Sequence, residues 1–194
     1  MNKKSLQAPT WSATARSASR FGWLFASALL LAACASRPPA TTAAPLELHS
    51  PLPDLLAAGQ PAPSDWVSLA AQGVTTVINL RPEEEMQGRD EAAEVAAAGM
   101  AYVQLPVAGA PDLTPAKAAE LRAALAAAPG KVLLHCASAN RAGALLALAK
   151  AGEGMAPTQA LEIGRQAGMR STEARVREVL ALPETPVCAQ APCP

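Results

Sequence analysis

The chain has 194 residues, which is enough for one domain with accessory segments and too few for two domains of ordinary size. Hydrophobic residues make up 51% of it, which excludes a wholly disordered protein. Basic and acidic residues are balanced at 16 each, and only 3% of residues are aromatic. No basic field and few stacking side chains are available, so we expect no nucleic-acid partner.

The first segment has the features of an export signal. Basic residues, Lys3 and Lys4 among them, precede an apolar run over 21–31. This run is shorter than the ~20 residues that a membrane-spanning helix needs. It ends in Leu-Ala-Ala-Cys at 31–34, which resembles the lipobox of bacterial lipoproteins, where the cysteine is lipidated and becomes the first residue. The resemblance predicts a signal peptide over 1–33 and lipidation of Cys34; the alternative is an ordinary signal peptide with an incidental cysteine.

A lipid anchor of this kind implies a location in the bacterial cell envelope. Ala35 follows the cysteine, where an aspartate would resemble an inner-membrane retention signal. We therefore expect an outer-membrane lipoprotein that faces the periplasm and contacts the membrane through its lipid only. Residues 34–45, rich in Pro, Ala and Thr, are predicted to form a flexible tether.

Helix and strand patterns alternate between residues 46 and 182, the predicted folded domain. Strands are predicted over 74–80, 101–107 and 131–135, where apolar and β-branched residues cluster between turn signals. Helices are predicted over 63–71, 90–98, 114–128, 142–151, 158–166 and 172–182. This alternation predicts an α/β fold with a central, mainly parallel sheet flanked by helices.

The tail over 183–194 is rich in proline and contains Cys188 and Cys193. An oxidising compartment favours a small disulfide loop between them. The alternative is a redox pair, although the spacing is not Cys-x-x-Cys. A disulfide in the tail would leave Cys136 free.

Reactive chemistry is concentrated where the third predicted strand meets its helix. Cys136 follows the strand, four small or polar residues come next, and Arg141 stands at the start of the helix. Loop N–H groups and a helix N-terminus direct positive dipoles at one point, which suits an oxyanion. A guanidinium binds two oxygens of such an anion, and the positive surroundings favour a cysteine thiolate.

The segment His-Cys-Ala-Ser-Ala-Asn-Arg-Ala-Gly at 135–143 resembles the signature loop of the protein tyrosine and dual-specificity phosphatases. The closer resemblance is to the phosphatase-like domain of beta-lactamase hydrolase-like proteins, also called DUF442. Three further segments, at 59–61, 73–82 and 111–115, resemble that family in order and spacing. The likeness covers most of the mature chain and implies a three-layer phosphatase-like fold.

The resemblance implies a mechanism with assigned residues. Cys136 would attack phosphorus to form a thiophosphate, and Asp112 would protonate the leaving oxygen and then activate water. His135 would support the loop; its other interpretation is a core histidine bonded to a backbone carbonyl. The substrate would be a small molecule or protein carrying phosphate or another oxyanion, with no cofactor and no metal. The implied phosphate-binding residues are Ala137, Ser138, Ala139, Asn140 and Arg141.

The loop also departs from the phosphatase pattern. Four residues separate Cys136 from Arg141 where phosphatases have five, and rhodanese-type sulfurtransferases use the shorter length. Ala139 stands where the family usually has glycine, so a left-handed conformation there would be strained. A sulfurtransferase and a non-catalytic anion- or protein-binding module therefore remain alternatives. The acidic residues at 83–85 and 90 are interpreted as a solvated loop, and His49 as isolated.

Overall fold

The computed structural model describes residues 45–183. The predicted signal peptide, the lipidation site Cys34, the tether up to residue 44 and the tail from residue 184, with Cys188 and Cys193, lie outside them. The elements are β1 (Leu48–Leu52), β2 (Leu55–Ala58), α1 (Asp65–Ala71), β3 (Val74–Asn79), α2 (Glu91–Ala97), β4 (Ala101–Gln104), α3 (Pro115–Ala127), β5 (Lys131–His135), α4 (Asn140–Gly152), α5 (Pro157–Gln166) and α6 (Glu173–Val179).

One sheet of five strands has the order β1-β2-β5-β3-β4. The pairs β2–β5, β5–β3 and β3–β4 are parallel, and only β1–β2 is antiparallel. The predicted α/β class with a mainly parallel sheet is confirmed. The β1–β2 hairpin is an addition that the sequence did not predict, because Leu55–Ala58 is a short apolar run that suits a strand or a helix equally.

Apolar side chains cover both faces of the sheet. On one face, Trp66 and Leu69 of α1 and Val95 of α2 pack with residues of β2, β3 and β5. On the other face, α3 to α6 form the larger core. The result is a three-layer domain in which β5 is central and lies between both cores. No helix within 45–183 has the length and apolar character needed to cross a membrane.

Helix α4, which begins at the reactive loop, lies at the centre of the larger core. All of its residues from Arg141 to Ala149 are buried. A Cβ atom at Gly143 would lie 2.4 Å from the carbonyl oxygen of Gly164 in α5, so glycine is required where these two helices meet. Helix α4 is thereby fixed against α5, and its N-terminus is held at the carboxyl edge of the sheet.

Candidate active site

The loop between β5 and α4 is pinned to both neighbouring strands. The N–H of Cys136 donates to the carbonyl of Ala58 at 3.3 Å, and the N–H of Leu80 donates to the carbonyl of His135 at 2.9 Å. The N–H of Gln60 donates to the carbonyl of Ala137 at 3.3 Å. Cys136 is a free cysteine and fully buried. The reactive residue therefore lies on a backbone that β2 and β3 hold in place.

The N-terminus of α4 has no side-chain cap. Ala139 at the N-cap has φ 64° and ψ −17°, the left-handed conformation, and no side chain caps the helix. Its carbonyl accepts a 2.9 Å hydrogen bond from the N–H of Gly143. The backbone N–H groups at the start of a helix have no partner within it, so an anion bound here would meet several donors. Ala139 therefore has the left-handed conformation in which an alanine is strained.

Arg141 is anchored from two sides. Its Nη1 donates to the carbonyl of Val107 at 2.6 Å, and its two terminal nitrogens donate to the two carboxylate oxygens of Glu85 at 2.7 and 2.6 Å. Glu85 raises the pKa of Arg141, and the neighbouring Cys136 sulfur adds to the effect. Conversely, Arg141 holds the pKa of Glu85 below its usual value. The guanidinium is thus charged, fixed in place and already paired with a carboxylate.

Asp112 lies on the segment that holds this arginine. Its Oδ2 accepts a hydrogen bond from the N–H of Ala108 at 2.7 Å, next to the Val107 carbonyl that binds Arg141. The structure therefore places Asp112 and Arg141 on the same side of the loop. One carboxylate oxygen of Asp112 shapes the turn after β4.

The side chain of Asn140 turns away from the loop interior. Its Oδ1 accepts from the N–H of Arg170 at 2.7 Å, and its Nδ2 donates to the hydroxyl of Ser171 at 2.8 Å. The hydroxyl of Thr172 donates to the Asn140 carbonyl at 3.1 Å. Asn140 braces the connection between α5 and α6, and only its backbone is free for an anion. Ala137 and Ser138 are exposed.

His135 contacts a carboxylate and not the backbone carbonyl that one interpretation of the sequence gave it. Its Nε2 lies 2.9 Å from Oε1 of Glu91, and both side chains are completely buried. The contact is close, although neither atom is aligned for a good hydrogen bond. The imidazole meets the ring of Trp66 edge-on, with centroids 6.2 Å apart. His135 thus lies beneath the loop, on the sheet face opposite Cys136.

A second group of polar side chains lies beside this pair. The indole N–H of Trp66 donates to Glu94 at 2.8 Å, and Arg89 also binds the Glu94 carboxylate. Glu94 is partly exposed, whereas Glu91, three residues earlier, is buried. The two carboxylates of α2 therefore have different surroundings although they share one face of the helix.

Sequence reasoning missed Glu85 and Glu91 as partners of the loop. The interpretation of residues 83–85 and 90 as a solvated loop is right for Glu83, Glu84 and Asp90, which are exposed, and wrong for Glu85. His49 was called isolated, yet it lies with Glu47, Gln60 and residues 137–139 around a cleft of about 390 Å³. Three consecutive acidic residues after a strand indicate an acidic loop. They do not indicate which of the three carboxylates faces Arg141.

Comparisons with known proteins agree with this architecture. The family profile for the phosphatase-like domain of beta-lactamase hydrolase-like proteins matches residues 47–153. A beta-lactamase hydrolase-like protein from Agrobacterium fabrum (strain C58 / ATCC 33970) is 39% identical over 104 residues, which cover 52% of this chain and 24% of that protein. The chain therefore matches only about a quarter of the length of this relative.

Solved structures show the same fold. A DUF442 protein from Shewanella putrefaciens CN-32 has 29% identity and a TM-score of 0.55, over 70% of this chain and 88% of its own. TpbA from P. aeruginosa, in complex with pTyr, has 21% identity and a TM-score of 0.55, over 72% and 90% of the two chains. The chain belongs to the family of phosphatase-like domains found in beta-lactamase hydrolase-like proteins.

Proposed function

We propose that this protein is a cysteine-dependent hydrolase of phosphate monoesters. One observation carries the proposal: the free Cys136 neighbours the fixed guanidinium of Arg141 at the uncapped N-terminus of α4. A tetrahedral oxyanion at that point would receive hydrogen bonds from a helix N-terminus and from a guanidinium fork. The sulfur would lie beneath it as nucleophile.

The reaction would have two steps. The Cys136 thiolate attacks phosphorus, the ester P–O bond breaks, and Asp112 gives its proton to the leaving oxygen. A water molecule then attacks the thiophosphate while Asp112 takes a proton from it, which releases phosphate and restores the thiolate. Arg141 and the N–H groups of the loop hold the phosphoryl oxygens throughout. Because Glu85 occupies both terminal nitrogens of Arg141, the substrate must displace this carboxylate or share the guanidinium with it.

The substrate class follows from the anion site and one structural neighbour. The complex of TpbA with pTyr shows that an aryl phosphate fits this fold in that protein. A phosphate ester on a small molecule or on a protein side chain is therefore the class that we propose here. His135 is assigned a supporting role beneath the loop.

The proposal is tested by the hydrolysis of two esters: an aryl phosphate, which has a good leaving group, and an alkyl phosphate, which has a poor one. Cys136→Ser should reduce both rates to background while the domain keeps its fold. Asp112→Asn should slow the alkyl ester ~10²-fold or more and the aryl ester far less, because a good leaving group needs little protonation. Asp54→Asn, on the connection between β1 and β2, serves as the control. Anion binding without hydrolysis of either ester would overturn the proposal in favour of a binding module.

The four-residue spacing between Cys136 and Arg141 supports a second candidate, a rhodanese-like sulfurtransferase. In that reaction the Cys136 thiolate attacks the outer sulfur of thiosulfate, the S–S bond breaks, sulfite leaves and a persulfide forms. Cyanide then removes the outer sulfur as thiocyanate and restores the thiolate. No general acid is required, so Asp112→Asn should leave this activity unchanged. Cyanide-dependent sulfite release, set against ester hydrolysis with the same preparation, distinguishes the two candidates.

We also propose that the domain works at the periplasmic face of the cell envelope, anchored through a lipidated Cys34. The Leu-Ala-Ala-Cys sequence at 31–34 supports this location. Labelled fatty acid should be incorporated into the wild type and absent from Cys34→Ala. Equal labelling of both proteins would refute the anchor.

A further inference from the structure

A continuous line of polar side chains links the buried carboxylate of Glu91 to Arg141. The amide nitrogen of Gln60 donates to Oε2 of Glu91, and the amide oxygen of Gln60 accepts from Nη1 of Arg81. Arg81 donates in turn to the backbone carbonyl of Glu85 and lies 3.5 Å from its carboxylate. Glu85 then binds Arg141 through both oxygens.

The charges at the two ends of Gln60 determine how its amide points. An ionised carboxylate only accepts hydrogen bonds, and a guanidinium only donates them. Between Glu91 and Arg81, the amide must therefore present its NH₂ group to Glu91 and its oxygen to Arg81. A neutral amide at position 91 could also donate a hydrogen bond to Gln60. The Gln60 amide could then turn over and direct its NH₂ group at Arg81.

Glu91 is suited to this role because it is a buried charge with fixed partners. Its side chain is fully inaccessible to solvent. Burial by itself raises the pKa of Glu91, but contacts with His135, Gln60 and Arg89 together hold that pKa below its usual value. A carboxylate so enclosed cannot rotate into water, and it therefore imposes one orientation on Gln60.

We propose that Glu91 is a positioning residue for the anion site: it orients the Gln60 amide, which holds Arg81 and Glu85 so that Arg141 keeps its guanidinium in place beside Cys136. The inference rests on the proposed function only in taking Arg141 as the anion-binding residue. Glu91 touches neither substrate nor the reacting sulfur, and its effect passes through Gln60.

Sulfate is the probe, and the measured quantity is the sulfate-dependent rise in Tm at fixed pH. Glu91→Gln should lower the Tm without sulfate and should also reduce the sulfate-dependent rise to less than half. The exchanged variant, Gln60→Glu combined with Glu91→Gln, places a carboxylate at position 60 that can only accept hydrogen bonds from Arg81. This variant should recover most of the sulfate-dependent rise in Tm. Glu94→Gln, which removes the partly exposed carboxylate of the same helix, should leave the rise unchanged.

A second readout follows the arginine itself. The slowly exchanging guanidinium resonance of Arg141, assigned by its loss in Arg141→Lys, should be present in the wild type and the exchanged variant and absent in Glu91→Gln. Persistence of this signal in Glu91→Gln, or a lower Tm with an undiminished sulfate effect, would overturn the inference and leave Glu91 a purely structural residue. The resonance is independent of turnover, so failure of the phosphatase proposal alone would not affect this result.

Discussion

Each end of the loop from His135 to Arg141 contacts a glutamate, and the two glutamates differ in their exposure to solvent. At the start, His135 faces Glu91 with both side chains 0% exposed. At the end, Arg141 binds Glu85, whose side chain is 32% exposed. A buried pair cannot exchange its partner without leaving a charge in the protein interior, whereas a partly exposed pair can exchange one anion for another. The first pair therefore holds the loop, and the second pair stands where a substrate anion would bind.

The largest expected effect is a difference in the free energy of unfolding between variants of the buried pair and variants of the partly exposed pair. Glu91→Ala removes the fully buried carboxylate that His135 and Gln60 contact, and it should lower the free energy of unfolding by ~3–5 kcal/mol. Glu85→Ala removes one partner of the buried Arg141, but Glu85 is 32% exposed and water can take its place, so the cost should be smaller, ~1–3 kcal/mol. Urea unfolding of both variants measures the difference. If Glu91→Ala does not fold alone, the double variant with His135→Leu, which removes the unpaired group, should recover part of the loss.

Equal losses for the two glutamate variants would contradict the division between a structural and an exchangeable pair. The same result would show that exposure of the Glu85 carboxylate does not weaken its bond to Arg141.

Arg141→Lys tests the exchangeable end directly. Lysine keeps the positive charge but has no planar fork, so it cannot bind two oxygens of one anion as a guanidinium does. Sulfate affinity should fall roughly 10-fold, equivalent to about 1.4 kcal/mol. Isothermal titration measures the change, and Arg165→Lys on the exposed surface of α5 is the matched control. An unchanged affinity in Arg141→Lys would place the anion away from this side chain.

The parts of the molecule that could be read from the sequence are those set by local patterns. Three parallel strands and their helices followed from apolar and β-branched runs that lie between turn signals. The loop from Cys136 to Arg141 followed from its position between a strand and a helix. Each of these features is determined by residues close together in the chain.

The partners of the loop could not be predicted in the same way. Glu85 and Arg141 are 56 positions apart, and the segment before Arg141 contains no feature that selects Glu85 over its neighbours Glu83 and Glu84. The short 3₁₀ turn over Glu83–Glu85 turns one carboxylate inward and leaves two outside. That choice depends on the tertiary position of β3 relative to α4. The β1–β2 hairpin was missed for a similar reason, since β2 becomes a strand by pairing with β5.

The pH dependence of sulfate binding should identify Glu85 as the competing anion. Arg141 lowers the pKa of Glu85, so the stability that this pair contributes is present above the unfolded value of 4.5 and is lost as the pH falls through the lower folded pKa. Glu85→Gln keeps an amide oxygen that can accept from Arg141 and keeps the backbone carbonyl that Arg81 binds, so the guanidinium stays in place while the competing charge is removed. At pH 7, this variant should bind sulfate about 2–5-fold more tightly than the wild type, which corresponds to roughly 0.5–1 kcal/mol. As the pH is lowered, the sulfate affinities of the wild type and of Glu85→Gln should converge. A constant ratio at all pH values would mean that Glu85 does not compete with the anion.

The smallest expected change in stability concerns Ala139, which lies in the loop between the two pairs. Its φ of 64° costs an alanine ~1–2 kcal/mol, which Ala139→Gly would relieve. The glycine also gains freedom in the unfolded chain, worth ~0.4–1 kcal/mol, and a methyl group packed against Gly168 is lost. The net result should be a stabilisation of up to ~1 kcal/mol, measured by urea unfolding. Ala137→Gly is the control, because Ala137 is exposed and has no positive φ to relieve, so that variant should be destabilised. A loss of stability in both variants would show that the contact with Gly168 outweighs the backbone strain at Ala139.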